Sequence, residues 1–168
     1  FSLVWLGQIV SVLATSMTTF ALTIWVFEKT GSATALGLVQ VFFITPFLII
    51  TPIAGVMVDR HSRKLMMMVS DLASGLLTIV IFVLLRGDSL EIWHLYLLAA
   101  LSSAFEAFQF PAYSAAITLM VDKKHYARTS AMLTLADDGS RVLAPILAAA
   151  LIGLVRLEGI VAIDIVSF

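Results

Sequence analysis

The sequence predicts an all-α membrane protein with five complete transmembrane helices and the beginning of a sixth. Three observations predict it. Hydrophobic residues make up 61% of the 168-residue chain and charged residues only 12%, with a mean hydropathy of +1.06. Soluble domains carry about 25% charged residues, and a chain of this length lacks the interior to hide so much apolar surface. The charges also fall in clusters that leave long apolar runs, and about 20 such residues cross a bilayer as a helix. Finally, the runs do not alternate over ~10 residues as the strands of a membrane barrel would.

The first run, over about 1–27, contains no charged residue. It opens at Phe1 without an initiator Met, a basic leader region or a cleavage site, and it is too long for a signal peptide. It is therefore expected to be a spanning helix whose start is missing. The second run, about 32–58, is also free of charge and holds Pro46 and Pro52. Membrane helices tolerate proline where neighbours re-satisfy the freed carbonyls. The third, about 64–85, contains Asp71; the fourth, about 92–121, contains Glu106 and Pro111; the fifth, about 128–155, contains Asp137, Asp138, Arg141 and Pro145. A sixth run, 160–168, is too short to cross.

Orientation follows from the connections. Arg60, Arg63 and Lys64 lie between the second and third runs, and Lys123, Lys124 and Arg128 between the fourth and fifth. An excess of Lys and Arg marks the cytoplasmic side, so the first helix runs from inside to outside and the N-terminus is cytoplasmic. Trp25 and Trp93 fall at the outer boundary, as an aromatic belt would place them. Two pairs of small residues four apart, Ala33 with Gly37 and Ala149 with Gly153, would let helix backbones approach in lipid. Chance occurrence in Ala-rich helices is an equal reading of them.

Residues 55–64 read GVMVDRHSRK, a burst of charge in a chain that otherwise avoids it. A positive-inside connection accounts for the cations, each worth about 1 kcal/mol near an anionic leaflet. Gly55 is expected to permit close packing, and Asp59, one turn before the third helix, to meet the positive end of its dipole. The spacing resembles the signature G-x-L-x-D-R-x-G-R-K of the major facilitator superfamily, matched by Gly55, Asp59, Arg60, Arg63 and Lys64. Met57 replaces the leucine and Ser62 the second glycine. The stretches GQIVSVLATSMTTFAL, EKTGSA and FQFPAYSAAI resemble the drug-efflux branch, nearest to macrolide-efflux permeases. SRVLAPILAA resembles an antiporter pattern of the fifth helix, with Ala144, Ala148 and Ala149 around Pro145 where glycines would stand. Ser102 occupies the position of an arginine common in the family's fourth helix.

The resemblance implies the first six-helix half of a twelve-helix transporter, with the C-terminal half absent. It also implies that the GVMVDRHSRK segment is a conformational latch against the second half. Three polar stripes at helical spacing fit a central cavity: Gln8, Ser11, Thr15 and Thr18; Ser102, Glu106, Gln109 and Tyr113; Thr134, Asp138, Arg141 and Pro145. Hydrogen bonds that merely hold helices together are the competing account. A charge at mid-membrane costs ~2.5–3.5 kcal/mol. Glu106 and Arg141, on consecutive helices, are thus candidates for either a buried ion pair, shared with Asp137 and Asp138, or a proton site. Asp71 and Asp164 read as helix-packing hydrogen bonds.

A net charge of −1 gives no case for nucleic acid, and no cysteine is present. His61, His94 and His125 lack metal-helix spacing, and no phosphate-cradling glycine loop appears. The expected activity is proton-coupled efflux of drugs or other amphipathic molecules across the cytoplasmic membrane. The energy source is the proton gradient and no cofactor is needed. The partners are the bilayer, the substrate and a second transporter half. The alternatives are a facilitator or lipid exporter without proton coupling, and a scaffolding or sensing module.

Overall fold

The computed structural model describes residues 2–120 and 125–167; side chains at 2–6, 8, 59, 63, 110 and 113–120 lie outside the described set. Every described element is helical: α1 (Ser2–Thr30), α2 (Ala33–Arg60), α3 (Arg63–Arg86), α4 (Ile92–Met120) and α5 (Tyr126–Ser167). Among the described residues, α1, α2, α3 and α5 contain segments long and apolar enough to cross a membrane. Five such helices were expected. The exception is α4, whose His94, Ser102, Ser103, Glu106 and Gln109 dilute its apolar character. Many large apolar side chains are exposed, including Leu48, Leu72, Val83, Val142 and Leu154. Lipid is the solvent that accommodates such surface.

Local chemistry sets the helix ends. Gly31 adopts φ 59, the left-handed conformation that glycine enters without penalty, and it terminates α1. Ser32 then caps α2, its hydroxyl accepting the Ala35 N–H at 3.4 Å. Thr30 Oγ1 accepts the Ser32 N–H at 3.2 Å. After α3, the Gly87 N–H donates to the Val83 carbonyl at 3.0 Å. At the start of α4 the Glu91 N–H donates to His94 Nδ1 at 3.0 Å, and Trp93 Nε1 donates to Glu91 Oε2 at 2.6 Å. This reciprocal cap gives His94 a structural role.

The break expected between the fifth and sixth runs takes the form of a kink: α5 consists of two helical limbs that meet at one non-helical position, Arg156, at φ 59 and ψ 179. A single strained residue makes the turn. Gly159 lies under it, where a Cβ would fall 2.5 Å from Val155 Cβ.

The helices fall into two compact units. One comprises Phe1–Lys29 with Met120–Phe168; the other comprises Thr30–Leu119. In the first, α1 buries Val26 near its end and, along its middle, Ala14, Met17, Thr18 and Ala21, and the buried positions after Arg156 are Leu157, Ile160, Val161 and Asp164. Both sets have the i, i+3, i+4, i+7 spacing of one helix face, and each face includes a polar residue. Along the earlier limb of α5 the buried face is made of small residues four apart, Ala136, Ser140, Ala144 and Ala148. In the second unit, Phe42 of α2 stacks on Tyr96 of α4, with ring centroids 5.2 Å apart and 8° between planes.

The small-residue pairs do not act as close-packing sites. Ala33, Gly37, Ala149 and Gly153 are all exposed, and a Cβ at Gly37 or Gly153 would meet nothing within 4 Å. Small size permits approach without compelling it.

Candidate functional site

The motif at 55–64 is a helix joint. Helix α2 extends through Arg60, and α3 begins at Arg63, so only His61 and Ser62 separate them. Gly55, Asp59 and Arg60 thus lie on α2, and Arg63 and Lys64 open α3. The Asp59 backbone belongs to the last turn of α2, four residues before α3 begins; its side chain and that of Arg63 lie outside the described residues. His61 closes α2 in extended conformation, its Nδ1 3.0 Å from the Met57 carbonyl. Ser62 caps α3 at φ −64 and ψ 116, its hydroxyl accepting the Leu65 N–H at 3.5 Å. The serine that replaces a motif glycine therefore sits in a conformation any residue adopts, and its hydroxyl satisfies a helix-end donor. Arg60 and Lys64 are exposed. Gly55 has nothing within 4 Å of a built Cβ, so the close packing expected there is not seen.

The polar stripes behave differently from one another. On α1, Thr15 Oγ1 donates to Asp164 Oδ1 at 2.8 Å. Thr18 is 5% exposed, which removes it from any open cavity. Ser11 is half-buried, and the Gln8 side chain lies outside the described residues. On α4, Gln109 Nε2 donates to Asp71 Oδ1 of α3, a helix-to-helix bond rather than a cavity contact. Ser102 is half-buried, and Tyr113 lies outside the described side chains. Asp71 and Asp164 thus both make interhelical hydrogen bonds, as their surroundings suggested.

The charged cluster is not buried. Arg141 and Asp137 pair at 3.3 Å one turn apart on α5, with side chains 72% and 56% exposed. Asp138 and Thr134 stand exposed beside them, while Ala144 and Ala148 of the antiporter-like pattern are buried, Pro145 is half-buried and Ala149 exposed. Glu106 belongs to the other unit and is also exposed. A buried ion pair was one of the two readings of these groups; their exposure removes burial from it. Arg141 finds its counter-charge within its own helix because the i, i+4 spacing brings the two side chains together.

Near the far end of α1, a cleft of about 400 Å³ is lined by Ala21, Ile24, Trp25, Glu28, Ile152, Arg156, Leu157 and Glu158. Lys29 Nζ lies 5.7 Å from the centroid of the Trp25 ring.

Sequence reasoning did not pair Thr15 with Asp164. A signal was available, since the spacing of Leu157, Ile160 and Asp164 puts the carboxylate on the apolar face of its limb.

Comparison with known proteins assigns the family. The Major Facilitator Superfamily sequence model matches residues 4–168. Macrolide efflux protein A of Streptococcus pyogenes is 31% identical over 171 aligned residues, covering 99% of this chain and 41% of that protein. Macrolide efflux protein A of Enterococcus faecalis is 31% identical over 141, covering 82% of this chain and 42% of its own length. The uncharacterized MFS-type transporter YfiS of Bacillus subtilis is 24% identical over 147, covering 88% and 34%. The chain therefore spans about two-fifths of the length of these relatives. No solved structure matches it significantly. Apolar helices, the α2–α3 joint motif and a family match along nearly the whole chain lead to one conclusion: the protein belongs to the Major Facilitator Superfamily.

Proposed function

We propose that this chain serves a secondary active transporter that exports amphipathic small molecules by alternating access, driven by the proton gradient. One observation carries the reading. Glu106, Asp137, Asp138 and Arg141 stand exposed within long helices of an otherwise apolar chain. Charge exposed to hydrocarbon costs ~2.5–3.5 kcal/mol per group, so these groups need water or facing protein, as the wall of a transport pathway provides. The efflux names of the relatives support export, with macrolides as candidate cargo.

In this reading the cations of the α2–α3 joint face the cytoplasm, the N-terminus is cytoplasmic and the protein resides in the cytoplasmic membrane. Space beside Gly55 receives a second transporter half when the Asp59–Arg60 latch closes. Glu106 takes up and releases the coupling proton.

The test is export of a radiolabelled macrolide from cells expressing the protein, with the pH gradient intact or collapsed. Glu106→Gln should abolish gradient-driven export while leaving the protein in the membrane; undiminished export would falsify the proton assignment. A second reading, export without proton use at Glu106, is favoured by the Asp137–Arg141 pair, which neutralises Arg141 without Glu106. It expects full export from Glu106→Gln at any gradient.

A further inference from the structure

The latch and the α4–α5 charges leave two carboxyl groups of the spanning segments without a function, half-buried Asp71 and fully buried Asp164. Asp164 is 1% exposed on the limb after Arg156. Thr15 Oγ1 of α1 donates to its Oδ1 at 2.8 Å. Thr18, one turn further along the same face of α1, has a hydroxyl oxygen that is buried with no hydrogen-bond partner among the described residues. Ser167 Oγ donates to the Asp164 backbone carbonyl at 2.7 Å and leaves the carboxyl alone.

No cation answers this carboxyl among the described residues. Helix α1 has no ionisable side chain before Glu28. On the limb of Asp164, the nearest charges are Glu158 and Arg156, six and eight residues earlier; eight residues span about 12 Å of helix. On the limb before the turn, Asp137, Asp138 and Arg141 are exposed, and Arg141 is engaged by Asp137.

An ionised carboxylate buried with a neutral hydroxyl as its hydrogen-bond donor is unfavourable. Ionisable groups inside membrane proteins are accordingly tied to ion and proton pathways. A proton removes the charge and turns the acceptor-only carboxylate into a donor. The buried Thr18 hydroxyl, on the same face of α1 as Thr15, offers such a donor a lone-pair acceptor.

We propose that Asp164, Thr15 and Thr18 form a proton-binding site between α1 and the terminal limb of α5, occupied in this conformation and emptied when α1 moves away. The proton arrives from water onto the carboxylate and departs to water, with no other bond made or broken. The proposal rests on the transport reading but not on the role of Glu106.

The test is infrared difference spectroscopy of the protein in membranes, titrated from acid to alkaline pH. A carboxylic C=O band that disappears on alkalinisation in the wild type, is missing in Asp164→Asn and returns in Asp164→Glu is the expected result. Thr18→Val should shift the midpoint of that loss while the protein stays folded. A band absent at every pH overturns the proposal, as does one that persists at every pH. Displacement of the band by sodium at constant pH overturns it in favour of an alkali-cation site. In cells, Asp164→Asn should lose the response of export to a pH gradient, with Asp164→Glu restoring it; an unchanged response overturns the coupling. Because the spectral band reports Asp164 alone, a failure of Glu106→Gln to affect export leaves this result readable.

Discussion

Replacing Gly159 by alanine should loosen the turn between the two limbs of α5. The added Cβ would lie 2.5 Å from Val155 Cβ and 2.9 Å from its Cγ2. Carbon atoms pack best at about 3.5–4.0 Å, so the new methyl is about 1 Å too close. Rotating Val155 about χ1 moves Cγ2 away but leaves Cβ in place, because Cβ is fixed to the backbone. Relief therefore requires the backbone to shift. The neighbouring Arg156 already occupies φ 59 and ψ 179, a region that is essentially glycine's, and it has little latitude to give. Overpacking of this kind costs about 1–3 kcal/mol. The assay is thermal unfolding of the purified protein in detergent, run beside Gly153→Ala. At Gly153 a Cβ meets nothing within 4 Å, and Gly→Ala within a helix gains roughly 0.5–1 kcal/mol. The two variants should move in opposite directions. Adding Val155→Ala to Gly159→Ala should restore only part of the loss, since the Cβ contact remains. If Gly159→Ala proves as stable as Gly153→Ala, the tight turn described for α5 is wrong.

Three further outcomes are expected. Ser62→Ala should lower stability by about 1 kcal/mol and Ser62→Gly by only a few tenths, read from denaturation midpoints; equal losses would mean that the hydroxyl does not cap α3. Asp71→Ala should couple to Gln109→Ala in a double-mutant cycle by roughly 0.6 kcal/mol, the average for membrane hydrogen bonds, and additivity would exclude the bond. Asp59→Asn should slow export of a labelled macrolide without weakening its binding, and a loss of affinity alone would argue against a latch.

The positions of the helices were legible because charge is so scarce. Glu28 and Lys29, Arg60 to Lys64, and Arg86 to Glu91 each coincide with the end of one helix and the approach to the next. The turn after Val155 was legible in place but not in form. Arg-Leu-Glu-Gly reads as a connection, and only the backbone reveals that Arg156 alone absorbs the reversal. Side-chain partners were far less accessible. Helical spacing puts Thr15 and Thr18 on one face, but not opposite a carboxylate 149 positions later in the chain. The same limit hid the bond from Gln109 to Asp71. Depth in the sequence also failed to give burial: Arg141, midway along its run, is exposed because the small side chains of its helix occupy the packed face.

The joint between α2 and α3 has a mechanical consequence. Two residues of extended chain reach only about 7 Å, so His61 and Ser62 tether the adjoining ends of these helices. Neither end can withdraw far from the other, so a displacement of α2 at Arg60 draws the start of α3 with it.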